Sequence, residues 1–134
     1  MGQPAAKQGD KIVAVDTHIV MVPAPPGPPV PTPLPHLFSG SLTAGLSSDV
    51  NIMGKPAATV DSTAQNAPAH IPTPPGTSFQ KTPTDKSAIK IGSTTVRING
   101  KQAARNGDKA TTCNDPTDLP AGTVVAVGTV FIGG

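Results

Sequence analysis

A chain of 134 residues has the length of one domain, and its lone cysteine excludes an internal disulfide as the staple of that domain. Only 36% of the residues are hydrophobic, three Phe are the sole aromatics, and Gly (14) and Pro (17) are abundant, which excludes a large aromatic core. A net charge of +2 with 13% charged residues lacks the self-repulsion of a disordered tail, and the singly scattered Lys and Arg form no basic run for nucleic acid.

In chain order, Met1 to Lys7 holds no apolar run of a secretory signal, and no later stretch is long enough to span a bilayer, so synthesis in the cytoplasm without a cleaved signal is expected. The phrase Gly2-Gln3-Pro4-Ala5-Ala6-Lys7-Gln8-Gly9-Asp10 opens the chain, and Ile12 to Val15 follows as a short β-branched stretch. His18 comes next, then the proline run Val22 to Pro35, read as an extended polyproline II loop, and then His36. On composition alone that run is as readily a surface linker or a ligand for a proline-binding module as it is part of the folded body. Ser41 to Ser48 is the one place where a short helical turn is expected.

Val50-Asn51-Ile52-Met53-Gly54 alternates like a half-buried strand and runs into Gly54-Lys55-Pro56-Ala57-Ala58-Thr59-Val60-Asp61-Ser62. His70 and a second proline run, Ile71 to Gly76, follow, and Pro-x-Pro-Pro-Gly occurs in both runs shortly after a His-Ile pair. That recurrence makes the two runs equivalent parts of a rigid body. After Ile89 to Ile91, the phrase Val96-Arg97-Ile98-Asn99-Gly100 leads into Gly100-Lys101-Gln102-Ala103-Ala104-Arg105-Asn106-Gly107-Asp108. Asn99-Gly100 and Asn106-Gly107 are tight-turn signals, because Gly and Asn accept positive φ. Cys113, the stretch Val124 to Val127 and the strand phrase Val130-Phe131-Ile132-Gly133-Gly134 complete the chain.

Gly-x-x-Ala-Ala therefore occurs three times, twice behind a strand phrase. The first copy has no strand before it and the last strand has no Ala-Ala behind it, so the two orphans complete each other if the termini meet. Three equivalent units around an axis are the simplest geometry. Small Ala-Ala pairs suit an axis too crowded for bulky side chains.

His18 and His70 lie twelve residues after Ala6 and Ala58, and Cys113 occupies the corresponding neighbourhood of the third unit. A threefold arrangement brings these side chains towards one point, and His36 can add a fourth ligand from the end of the proline run. Three imidazoles and a thiolate in a tetrahedron make a saturated structural zinc site with no open position for water, which counts against hydrolytic catalysis. No nucleophile motif or phosphate-binding glycine loop is present, and Asp10, Asp61 and Asp108 sit in or beside repeated turns, where a carboxylate bonds nearby N–H groups. The chain is read as a non-enzyme.

Gly54 to Ala58, Val96 to Asp108 and Pro4 to Asp10 resemble PAAR repeats, and the resemblance covers nearly all of residues 1–134, read as a single PAAR-like domain. It implies an all-β, three-sided cone with proline-rich loops, closed by the C-terminal strand. It also implies a structural zinc ion at the tip held by His18, His36, His70 and Cys113. The implied role is to cap the trimeric central spike of a contractile injection system, one chain per VgrG-like trimer, and to sharpen it for piercing a target membrane. The chain is then made in the bacterial cytoplasm and carried out on the particle. The alternative role is an adaptor that loads effectors onto the spike through the proline loops.

Overall fold

The computed structural model describes residues 2–133, and among them every regular element is a strand. In chain order these are β1 (Gln3–Pro4), β2 (Lys11–Val22), β3 (Val30–Ala44), β4 (Asn51–Ile52), β5 (Lys55–Pro56), β6 (Thr63–Asn66), β7 (Ser78–Phe79), β8 (Lys86–Ile89), β9 (Arg97–Ile98), β10 (Lys101–Gln102), β11 (Lys109–Thr112), β12 (Leu119–Val125) and β13 (Phe131–Ile132). Six of them close on themselves in the order β12, β11, β8, β6, β3, β2 and back to β12, with all pairs antiparallel. Closure leaves no free edge around the barrel. Towards its far end β2 gains β7 as a further neighbour, through Val20↔Phe79 and Met21↔Ser78.

The three units meet at their Ala-Ala pairs. Ala6 N–H donates to Ala104 C=O (2.9 Å), Ala104 N–H to Ala58 C=O (3.0 Å) and Ala58 N–H to Ala6 C=O (3.0 Å), a closed triangle of backbone bonds. A second cycle surrounds it, from Gln8 to Pro56, Val60 to Gln102 and Asn106 to Pro4, at 2.8 to 2.9 Å. The six alanines are buried, because these bonds draw the three backbones together around them.

Successive residues of an extended chain point to opposite sides, so each Ala-Ala pair divides two cores. On one side Ala5, Ala57 and Ala103 pack with Ile52, Ile98 and Ile132. On the other, Ala6, Ala58 and Ala104 join Ile12, Ala64 and Ala110, with Leu42, Ile89 and Val124 above. The isoleucines of the first core come from two hairpins, β4–β5 and β9–β10, and from the pair β1–β13. Gln3↔Ile132 repeats Lys55↔Ile52 and Lys101↔Ile98, so strands from the two ends of the chain form the third hairpin across the threefold, as the orphaned phrases required.

Two expectations change. The proline run is not a loop throughout, since β3 begins at Val30 and pairs with β2 from Val22↔Val30 to Lys11↔Ser41. Pro31, Pro33 and Pro35 recur at every second position, so their missing N–H groups fall on one edge of β3, the edge that β6 joins only from Gly40 onwards. The two Pro-Pro-Gly turns do match, closing with Gly27 N–H on Ala24 C=O and Gly76 N–H on Thr73 C=O, both at 2.9 Å. The helical turn expected at Ser41 to Ser48 is absent, because Ser41 to Ala44 finishes β3 against β6.

Candidate metal centre

Beyond the second core, β2 carries the inward series Ile12, Ala14, Asp16, His18 and Val20, each step about 7 Å further from the alanine triangle. Asp16 and His18 are therefore delivered by strand period, and His36 lies directly across from Asp16 in the β2–β3 register. Cys113 follows the last residue of β11. His70 arrives from the segment after β6, its backbone N–H held by Asp85 Oδ1 at 2.9 Å.

The side chains converge. His18 lies with its ring centroid 4.9 Å from that of His70 and 5.3 Å from that of His36, and His36 and His70 are 5.5 Å apart. Phe79 covers His18 and His36 from β7, at 5.9 and 5.4 Å. His18 Nε2 stands 3.6 Å from Cys113 Sγ, Cys113 Sγ stands 3.6 Å from Asp16 Oδ2, and Asp16 Oδ2 accepts from His70 Nε2 at 3.1 Å. Asp16, His18, His70 and Cys113 each bring one ligand atom within 4.8 Å of the others.

His36 lies beside this group with both ring nitrogens engaged. Nδ1 donates to Leu34 C=O at 2.9 Å, and Nε2 accepts the Thr73 N–H at 3.1 Å. The Thr73 hydroxyl donates to Pro35 C=O at 2.8 Å, so His36 and its neighbour hold the second proline turn against β3.

An outer layer fixes these groups. Thr112 Oγ1 and Asn114 Nδ2 donate to Asp16 Oδ1, and Asn114 Oδ1 takes the Thr17 N–H. His18 Nδ1 is buried without a hydrogen bond and faces Asp115 Oδ2 at 3.6 Å, while that oxygen accepts the Ile19 N–H. A proton on Nδ1 directed at this carboxylate leaves the Nε2 lone pair towards Cys113, the arrangement that metal-bound imidazoles use. Burial lowers the His18 pKa, reinforced by His70, and burial also lowers that of His36 against the opposing Leu34 carbonyl. Neutral imidazoles are the form that ligates metal. Burial, with the Asp16 charge next, pushes the Cys113 thiol up to about 11. A thiolate here requires a cation.

A donor set of imidazole nitrogen, cysteine sulfur and carboxylate oxygen is compatible with a bound metal ion. Three of the residues singled out from sequence, His18, His70 and Cys113, are in mutual reach, with His36 alongside. Asp16 was missed, although its signal was present: a carboxylate two residues before a histidine, on the same face of an alternating strand.

A family model for the PAAR motif matches residues 32–117, well over half of the chain. The chain belongs to the PAAR motif family. A search of curated proteins finds no match to it. The matched span includes His36, His70 and Cys113, and it contains the second and third Ala-Ala phrases. PAAR membership points to a structural spike-tip component of a secretion machine. The strand-only, closed architecture of this PAAR chain agrees with it.

Proposed function

We propose that this PAAR chain is the zinc-stabilised tip of a contractile injection system, capping a trimeric central spike and sharpening it for puncture of a target membrane. The observation that carries the reading is the cycle of backbone bonds through Ala6, Ala58 and Ala104, which gives one chain three similar faces around one axis. Such a chain can cap a true trimer, matching strand ends around the shared axis. The hairpin layer with Ile52, Ile98 and Ile132 is the docking end. The metal cluster lies on the far side of the alanine triangle.

Zinc would be held by His18, His70 and Cys113 and by a fourth group from the two beside them, His36 and Asp16. It would supply rigidity where the barrel is too narrow for an apolar core. Zinc peptides gain about 10–16 kcal/mol on binding, all of which acts as folding energy. The chain is made in the bacterial cytoplasm and leaves it on the assembled particle.

Native mass spectrometry of the chain mixed with candidate spike trimers tests both halves. One chain and one zinc per trimer is the expected complex. Three chains per trimer would remove the capping role, and a metal-free chain at neutral pH would remove the zinc.

A further inference from the structure

We infer that the hairpin turn between β2 and β3, Pro23 to Pro31, is the leading surface of this chain and partitions into the interface of an electrically neutral phospholipid bilayer. The inference rests on the puncture reading and says which part of the chain meets lipid. It makes no use of the metal.

Position is the first support. β2 runs on past the metal cluster, and Val22 is four residues beyond His18, about 13 Å further from the alanine triangle. Up to Met21 the hairpin is braced. Gln80 N–H donates to Ile19 C=O at 2.9 Å and Thr77 N–H to Met21 C=O at 3.0 Å, while Gly76 lies so close that a Cβ there would stand 2.5 Å from Val20 Cγ2. Beyond Val22, Pro23 to Pro31 are exposed, in a turn closed by Gly27 N–H on Ala24 C=O.

Side-chain chemistry is the second. Pro23 to Pro31 consists of six Pro and one each of Ala, Gly and Val, so its side chains are hydrocarbon throughout. No Asp, Glu, Lys or Arg occurs from Thr17 to Ser48, nor from Ser62 to Gln80, the stretch that holds the second proline turn. Asp115 meets β2 through the Ile19 N–H, and Lys81 follows Gln80, which also bonds Ile19, so these charges stop below the turn. The docking end is different. There Phe131 and Met53 are exposed beside the equally exposed Lys55, Arg97 and Lys101.

Backbone is the third. A buried N–H without a partner is costly wherever water is excluded, and six of these nine residues have none. Gly27 N–H is bonded within the turn, and that of Val30 faces β2, which leaves only that of Ala24 for the surroundings. The outer edge of β3 from Pro31 to Pro35 likewise presents carbonyls and no donor. Those carbonyls set the depth. They keep the turn where headgroup water still reaches it, at the interface and above the acyl centre.

A proline-binding module fits less well. Such modules take an extended polyproline II run, whereas Pro31, Pro33 and Pro35 are paired in β3 and the remaining prolines fold back through the turn.

The chain has no Trp or Tyr, so a single tryptophan reports on its own surroundings. A24W and F131W, each in the full-length chain with folding checked by circular dichroism, place that reporter at the turn and at the docking end. With phosphatidylcholine vesicles, A24W emission should move to the blue and be quenched by brominated acyl chains, while F131W emission should do neither. V30D added to A24W should remove the shift. No shift of folded A24W, or a shift of F131W in its place, overturns the inference. So does a shift that needs anionic lipid and disappears in salt, because attraction to the net charge of +2 would then be its cause. A shift of A24W on adding an SH3 domain, with none on vesicles, also overturns it and makes the turn a protein ligand. A failed vesicle test beside one chain and one zinc per spike trimer removes the lipid contact and leaves the cap in place.

Discussion

At the scale of single residues, the three units differ where their equivalent turns differ. Gly9 and Gly107 have φ of +90° and +89°, and the equivalent residue of the second unit is Asp61, at +78°. Aspartate tolerates this region better than most residues but still pays in strain there. The carboxylate of Asp61 gains little in return, since its 3.6 Å contact with Lys101 is largely in solvent. The residue after each turn shows the opposite pattern. Asp108 accepts the Arg105 N–H at 2.7 Å and Asp10 that of Lys7 at 3.0 Å, while Ser62 Oγ does the same for Thr59 at 2.9 Å. A shorter side chain therefore keeps the turn where the Gly-Asp pair is absent. Replacing Asp61 with Gly should raise stability by up to about 1 kcal/mol, read as an upward shift in thermal midpoint. An unchanged or lower midpoint would show that Asp61 holds its turn by contacts other than backbone.

At the scale of elements, the shortest segments carry the architecture. β1, β4, β5, β9, β10 and β13 have two residues each, yet their hairpins supply the apolar layer with Ile52, Ile98 and Ile132. Met53-Gly54 and Asn99-Gly100 make the turns, with φ of 52° and 81°, then 53° and 81°, the signs that a two-residue hairpin needs. What fixes the spacing of the hairpins is the alanine triangle. Ala6, Ala58 and Ala104 are fully buried with their backbones bonded to one another, so no lateral room exists for added methyl groups. Ala58→Val should cost about 3 kcal/mol, the upper end of ordinary overpacking, because the yielding atoms are backbone. Denaturant unfolding measures it. A cost below about 1 kcal/mol would mean that the triangle relaxes and is not the rigid centre of the fold.

At the scale of the whole molecule, the threefold is continuous in space and interrupted in the chain. Pairing of Gln3 with Ile132 and of Pro4 with Phe131 closes the ring as a hairpin whose turn is replaced by the two termini. Joining Ile132 to Gln3 through Asn-Gly, and reopening the chain at the exposed turn near Gly27, should give a permutant that folds within about 1 kcal/mol of the parent and keeps its metal stoichiometry. Failure to fold would show that the covalent order, and not the closed ring of pairs, holds the units together.

Sequence by itself determined the repeat, and through it the fold class, the meeting of the ends and three members, His18, His70 and Cys113, of the buried cluster that could hold a metal ion. It did so because glycine turns and alanine pairs are steric requirements, legible wherever the backbone must approach itself. Tertiary structure decided the rest. His18 and His70 share an offset from their alanines, yet His18 reaches the centre along the twelve-residue strand β2, and His70 after the four-residue strand β6, from a segment tied to Asp85. Half of the proline run became strand because β2 offered it a partner, which composition does not encode. Asp16 joined the cluster, and His36 was drawn to Leu34 and Thr73, through atoms that become neighbours only when β2, β3, β11 and the second proline turn are packed. Which nitrogen or oxygen faces an ion is set by those hydrogen bonds, and all but that of His36 with Leu34 join residues far apart in the chain.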